Sequence, residues 1–226
     1  MAQAAGLALT AAIALAVGQT IPTTSSYVFK AAVVFAAIAC VTLGFVGAHH
    51  PFRVFGAANA VTTLRAALIA ATAALVWEPA GEPAAWVAAL LALLSTMLDG
   101  VDGSLARRTA MASPFGARYD MELDALLILV LAVIAWQFGK AGAWIVLAGA
   151  MRYLFVVASY LWRWLDTPLP PSLRRKAVCV LQIVGLGAVV APPVAAPASV
   201  AVAAGTLAAL MWSFGVDVLW LRRNGG

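Results

Sequence analysis

The chain has 226 residues, of which 64% are hydrophobic and 10% charged, with a formal net charge of +5. A soluble domain carries roughly a quarter charged residues, and the deficit here runs the whole length of the sequence, which excludes an ordinary water-soluble fold and makes the bilayer the solvent. Excess basic charge would suggest nucleic acid in a soluble chain; in a membrane chain it belongs at the cytoplasmic ends of helices, and no nucleic-acid partner is expected.

A spanning helix needs roughly 20 mainly apolar residues. Eight such runs are predicted, at about 3–20, 31–48, 56–77, 84–106, 117–138, 142–163, 176–192 and 198–221. Turn-forming stretches separate them: Pro22 to Ser26, His49-His50-Pro51, Glu78 to Pro83, Gly139 to Gly142, Asp166 to Ser172, and Ala191-Pro192-Pro193. The first run reads as a span and also as an interfacial segment. Its flank, Met1-Ala2-Gln3, has no positive n-region, which argues against a secretory signal peptide. No long polar linker interrupts the chain, so one all-α membrane domain is expected. Cys40 and Cys179 sit inside apolar runs without metal-like spacing, and a disulfide framework is not expected. His49 and His50 lack a third ligand for zinc and read as interface residues.

The basic residues orient the spans. Arg53, Arg107, Arg108, Arg118, Arg163, Arg174, Arg175, Lys176, Arg222 and Arg223 fall on one side, Lys30 and Lys140 on the other. The first group marks the cytoplasm, with both termini inside. Arg65 and Arg152 lie within spans.

Chemistry concentrates between residues 99 and 124, DGVDGSLARRTAMASPFGARYDMELD. Asp99 and Asp102 are three apart, and with Gly103 and Ala106 they share one helix face; Asp120 and Asp124 are four apart and share a face of the next helix. The short link, with Pro114 and Gly116, predicts antiparallel neighbours whose carboxylates converge at the cytoplasmic boundary. Four carboxylates there repel one another, and each costs up to roughly 3 kcal/mol inside a spanning helix. Divalent cations resolve both problems: Mg²⁺ takes hard oxygen ligands and keeps positions open for phosphates. Two ions clamp the attacking and leaving oxygens of an in-line displacement. Small residues at 103 and 106 allow close approach, and Arg107 offers a planar donor fork to phosphate oxygens. A lone Asp at a helix end, such as Asp166, is ordinarily solvated. Eight positions filled together at about one in twenty to one in ten each coincide with a chance on the order of 10⁻⁹.

This run resembles the signature D-x2-D-G-x2-A-R-x8-G-x3-D-x3-D of the CDP-alcohol phosphatidyltransferases, with every fixed position present. The resemblance covers about 165 residues, from Asn59 to the C-terminus. It implies a six-helix catalytic domain over 53–226, preceded by two extra transmembrane helices in 1–52. It also implies transfer of a phosphatidyl group from CDP-diacylglycerol to a small alcohol, with release of CMP, at two Mg²⁺ or Mn²⁺ ions. Asp99, Asp102 and Asp120 would hold one ion; Asp99, Asp120 and Asp124 the other; and Asp124 would be the general base. Gly103, Arg107 and Ser113 match donor contacts, with Ala106 on the same face. Asn59-Ala60-Val61-Thr62 resembles the N-x-x-T stretch that also touches the nucleotide, so Asn59 and Thr62 join the donor site, and Arg65 extends their face at a spacing of three. A homodimer is implied as well.

The acceptor is less legible. Arg118, Arg152, Arg174, Arg175 and Lys176 are candidate acceptor-binding residues, favouring a phosphorylated polyol such as glycerol phosphate or inositol phosphate. The 174–176 cluster is equally explained by the inside-positive bias. The stretch SLRRKAVCVLQ resembles the family's S-x2-G-K-x2-T-x2-Q, keeping Lys176 and Gln182 but carrying Arg175 for the glycine and Cys179 for the threonine. Ala125 and Arg152-Tyr153 stand where phosphatidylglycerophosphate synthases often have Lys and Arg-Glu. Two extra N-terminal spans occur in some phosphatidylcholine synthases, so a phosphatidylcholine- or phosphatidylserine-type enzyme is an alternative. A cation-coupled transporter is the alternative of another class, because intramembrane carboxylates also bind transported ions. An inactive scaffold would be expected to lose an aspartate, and none is lost. Asp217, near the end of the last span, is expected to pair with a basic residue, and Glu122 to point away from both flanking aspartates.

Overall fold

The computed structural model describes residues 2–49, 57–108 and 114–225, with the side chains of 2, 43–49, 57–59, 101–108 and 114–115 outside the described set. Among the described residues there are eight α-helices and no strand: α1 (Ala2–Thr20), α2 (Tyr27–His49), α3 (Ala57–Ala74), α4 (Glu82–Arg108), α5 (Pro114–Gln137), α6 (Val146–Leu161), α7 (Leu173–Val190) and α8 (Ala198–Asn224). Each coincides with one predicted apolar run. Four contain stretches long and apolar enough to cross a membrane: Gln3–Thr20, Glu82–Gly100, Ala143–Leu161 and Ala198–Asn224. Tyr27–Thr42 and Ala60–Ala74 are shorter apolar helices. In α5 and α7 the apolar run is shortened by charge in the first turns, from Arg118 to Asp124 and from Arg174 to Lys176. Large apolar side chains such as Phe29, Leu90, Val184 and Leu219 are exposed. They suit contact with lipid rather than water.

Boundaries differ from expectation in two places. α2 starts at Tyr27, because Thr24 and Ser26 accept the first turn's backbone bonds, which brings Lys30 inside the helix. α6 ends at Leu161, and a 3₁₀ turn over Arg163–Asp166 leads into the stretch containing Pro168, Pro170 and Pro171. That stretch cannot continue a helix.

The chain divides into two compact units, 1–127 and 128–226. In the first, α3 and α4 pack along faces of small residues. Ala66, Ala67, Ala70, Ala71 and Ala74 on α3 are buried, as are Ala84, Ala85, Ala88 and Ala92 on α4. Small side chains let membrane helices approach closely. α1 and α2 pack on α3 and on each other. Gly6 of α1 is pressed against Phe35 of α2 and Thr63 of α3, leaving no room for a Cβ. Beyond the C-terminal end of α3, Glu78 is buried and ion-paired with Lys30. It also accepts bonds from the Thr24 backbone N–H (2.6 Å) and hydroxyl (2.8 Å). This clasp ties the α1–α2 turn to the α3–α4 turn.

In the second unit α7 packs on α8, and the Gly185 backbone lies against Thr206. Gly149 of α6 lies directly on the backbone of Leu129. Gly139 adopts a positive φ of 67° just past the end of α5, the left-handed conformation that closes many helices. Lys140, next to it, donates to the carbonyls of Ala191, Pro192 and Val194 at 2.8–3.2 Å. Those carbonyls follow α7, where a cation suits both the unpaired oxygens and the helix dipole. Lys140, like Lys30, thus has a structural role.

Candidate functional site

The site is assembled from three helices of the first unit. α4 is apolar until its last turns and carries Asp99 there; α5 begins at Pro114, a residue suited to the first helical position, and carries Asp120 and Asp124. Each is partly buried, with side-chain exposures of 32%, 37% and 17%. One oxygen from each lies within 4.8 Å of the others. The pair on α5 faces one way because residues four apart lie on one helix face.

Between them stands Arg65 of α3, with no exposed surface. Its Nε donates to the Ser95 carbonyl oxygen at 3.1 Å. Nη1 pairs with Oδ1 of Asp99 at 2.8 Å and with Oδ1 of Asp120. Nη2 pairs with Oδ1 of Asp124 at 2.6 Å. The guanidinium thus bridges α4 at 95 and 99 to α5 at 120 and 124. A buried unpaired arginine would be costly, and so would three unpaired carboxylates; each makes the other tolerable.

Of the sequence-predicted site residues, Asp99, Asp120 and Asp124 come together. Thr62 is buried on α3, one turn before Arg65. Asn59 lies on α3 and Asp102, Gly103, Ala106 and Arg107 on α4, but their side chains are outside the described residues, as are Ser113 and His50 entirely. Arg118 is exposed on α5. Glu122 is not part of the carboxylate group, in keeping with its angular offset.

In the second unit, Arg152 is half-buried on α6 and Lys176 is exposed at the head of α7. Arg174 and Arg175 are both engaged. Arg174 donates to Ser213 Oγ and to the Ser213 carbonyl, pairs with Asp217 at 2.5 Å, and lies 5.7 Å from the Trp212 ring centre. Arg175 reaches Asp217 at 3.3 Å and donates to the Pro170 carbonyl. The expected partner for Asp217 is therefore a pair of arginines. The role of Arg65 as carboxylate partner was not anticipated. The available signal was its position: an ionisable residue inside a span calls for a partner of opposite charge.

The family model for CDP-alcohol phosphatidyltransferase matches residues 55–216. The chain belongs to that family. No curated protein and no solved structure matches it. The CDP-alcohol phosphatidyltransferases are metal-dependent membrane enzymes that transfer a phosphate-linked group from a CDP-alcohol to an alcohol acceptor. This protein is accordingly an all-α integral membrane protein. The aspartate group suits such a metal: two oxygens on opposite sides of an octahedral Mg²⁺ stand about 4.2 Å apart, and the donors are hard carboxylate oxygens. The three described oxygens are already clustered on that scale.

Proposed function

We propose that this protein is a phospholipid-synthesising transferase that moves the phosphatidyl group of CDP-diacylglycerol to a small alcohol and releases CMP. The convergence of Asp99, Asp120 and Asp124 inside the region matched by the family carries this reading. The catalytic domain is residues 53–226, with two N-terminal helices in 1–52. The site opens to the cytoplasm, where both termini lie, in keeping with the ten-to-two split of basic residues. The protein works as a homodimer.

Asp99, Asp102 and Asp120 would hold one divalent ion and Asp99, Asp120 and Asp124 a second, either Mg²⁺ or Mn²⁺. When bound, the ions supply electrostatic stabilisation of the charge that develops on the phosphoryl oxygens. Asn59, Thr62, Gly103, Ala106, Arg107 and Ser113 line the donor site and orient the CDP part, the glycine and alanine by leaving space. Asp124 accepts the proton of the acceptor hydroxyl. The hydroxyl oxygen forms a bond to the lipid-side phosphorus while the anhydride bond to CMP breaks, and CMP departs with the bonding electrons. Positioning is the protein's main contribution, as in phosphoryl transfer generally.

The acceptor is a phosphorylated polyol such as glycerol phosphate or inositol phosphate. Arg118, Arg152, Arg174, Arg175 and Lys176 are the candidate ligands for its phosphate. Arg174 and Arg175 also pair with Asp217, which fixes where their guanidinium groups stand.

The test is CMP release from CDP-diacylglycerol with Mg²⁺ or Mn²⁺ across a panel of acceptors. Turnover with a phosphorylated polyol supports the reading. Turnover with serine or choline instead moves the protein to the alternative enzyme class. Cation flux without CMP release from any acceptor sinks the enzyme assignment.

A further inference from the structure

Arg65 has no exposed surface, yet its guanidinium reaches three carboxylates that a divalent ion would need. It takes the same kind of ligand atom from each, the Oδ1 of Asp99, Asp120 and Asp124. Its Nε is anchored separately to the Ser95 carbonyl, so the fork is aimed by α4's own backbone. Among the described residues, one cation faces three carboxylates at this group. Arg65 therefore moderates the repulsion without abolishing the attraction for further positive charge. The three carboxylate side chains are partly exposed, although Oδ1 of Asp99 is itself buried, whereas Arg65 has no exposed surface.

We propose that Arg65 is the built-in counter-ion of the aspartate site, holding the three carboxylates together in the metal-free protein and competing with divalent metal for their Oδ1 atoms. This rests on the metal-binding reading of the aspartates given above. Metal entry takes carboxylate oxygens from the guanidinium, and metal loss returns them. The site stays assembled between ions, at the expense of metal affinity. Arg65 is a positioning residue, acting on substrate only through the aspartates.

Mn²⁺ is the probe, measured by EPR titration of the purified full-length protein in nanodiscs, with thermal unfolding recorded with and without the ion. Arg65→Gln removes the competitor. The expected result is Mn²⁺ binding tighter by roughly tenfold or more, equivalent to about 1.4 kcal/mol per tenfold. The metal-free variant is expected to unfold at lower temperature than wild type, and Mn²⁺ to raise its midpoint by more than it raises that of wild type. Arg65→Lys keeps one charge but loses the fork that spans three carboxylates, and its Mn²⁺ affinity is expected to fall between the two. If Arg65→Gln fails to fold even with Mn²⁺, the lysine variant decides: tighter binding than wild type supports the competition. Equal or weaker Mn²⁺ binding in the folded variants overturns it, because an arginine that merely builds the site would lower affinity when removed. Absence of Mn²⁺ binding by wild type itself overturns the metal reading and this inference with it, and is a distinct result.

Discussion

Replacing Glu78 with Gln tests whether the N-terminal helix pair is clasped to the rest of the first unit. Glu78 has a 1% exposed side chain and meets Lys30, the Thr24 amide and the Thr24 hydroxyl. Lys30 also donates to the Val76 carbonyl at 3.2 Å, and nearby the Tyr27 hydroxyl donates to that of Ala71 at 2.9 Å. Glutamine keeps the shape and one acceptor but turns an NH₂ group toward a donor. It thereby loses the ionic partner and one bond. Removing one partner of a fully buried pair costs about 3–5 kcal/mol; Lys30 is 31% exposed, so water screens the loss, and about 2–3 kcal/mol is expected. At about 2–4 °C per kcal/mol for a chain of this size, the unfolding midpoint falls by roughly 4–12 °C at pH 7. The pH profile supplies a second measure. Burial opposes the Glu78 charge, but bonding to Lys30 and Thr24 outweighs it and holds the carboxyl below its ordinary value near 4.5. A lowered folded value means that its stabilisation is complete above the unfolded value and is lost as pH falls through the folded one. Wild type should therefore lose stability below about pH 4.5 more steeply than Glu78→Gln, whose profile is flatter there. Thermal unfolding in nanodiscs from pH 7 to 3 reads both. A midpoint within 2 °C of wild type, or an unchanged acid slope, refutes the clasp. Coupling near zero in a cycle with Lys30→Met would refute it independently.

Asp124→Asn should abolish CMP release in a protein that still folds, with a midpoint lowered by several degrees because Arg65 Nη2 loses its carboxylate partner; retained turnover removes Asp124 as the base. Gly149→Ala places a Cβ inside the backbone of Leu129. About 1–3 kcal/mol of overpacking is expected, with a midpoint lower by several degrees; an unchanged midpoint would show that α6 does not lie as closely on α5 as described. Asp217→Asn leaves Arg174 and Arg175 without their shared carboxylate, so a loss of about 2 kcal/mol is expected. The double change Arg174→Met with Asp217→Leu should recover part of it, and failure to recover any would assign the cost to something other than the ion pair.

The helices were readable because each criterion was local. Twenty apolar residues, then Pro or Gly, announce a span and its end whatever the neighbours do, and Gly139 and Pro192 fall where they should. The boundaries of α2 and α6 slipped because Ser26 and the 163–166 turn act through backbone bonds that composition does not reveal. The pair Asp120 and Asp124 was readable for the same reason: a spacing of four fixes a shared face within one helix. Glu78 and Lys30 are far apart in sequence, and each looked unremarkable alone, one a turn residue and one a stray basic charge. Only the packing of α1 and α2 on α3 brings them together.

Arg65 shows the same limit at the site itself. Its phase with Asn59 and Thr62 located its face on α3 but could not say which helix crosses there. The crossing is set by small residues on α3 and α4, and small residues permit close approach without specifying a register. The register is where polar chemistry enters: Nε meets the Ser95 carbonyl, and one turn later the fork meets Asp99. A slip of one residue along α4 would rotate Asp99 by about 100° and leave the arginine buried without its carboxylates. The ion-pair network therefore specifies the α3–α4 packing as well as serving the site. Under the proposed metal role, selection for metal chemistry and selection for a unique membrane fold act on the same side chains.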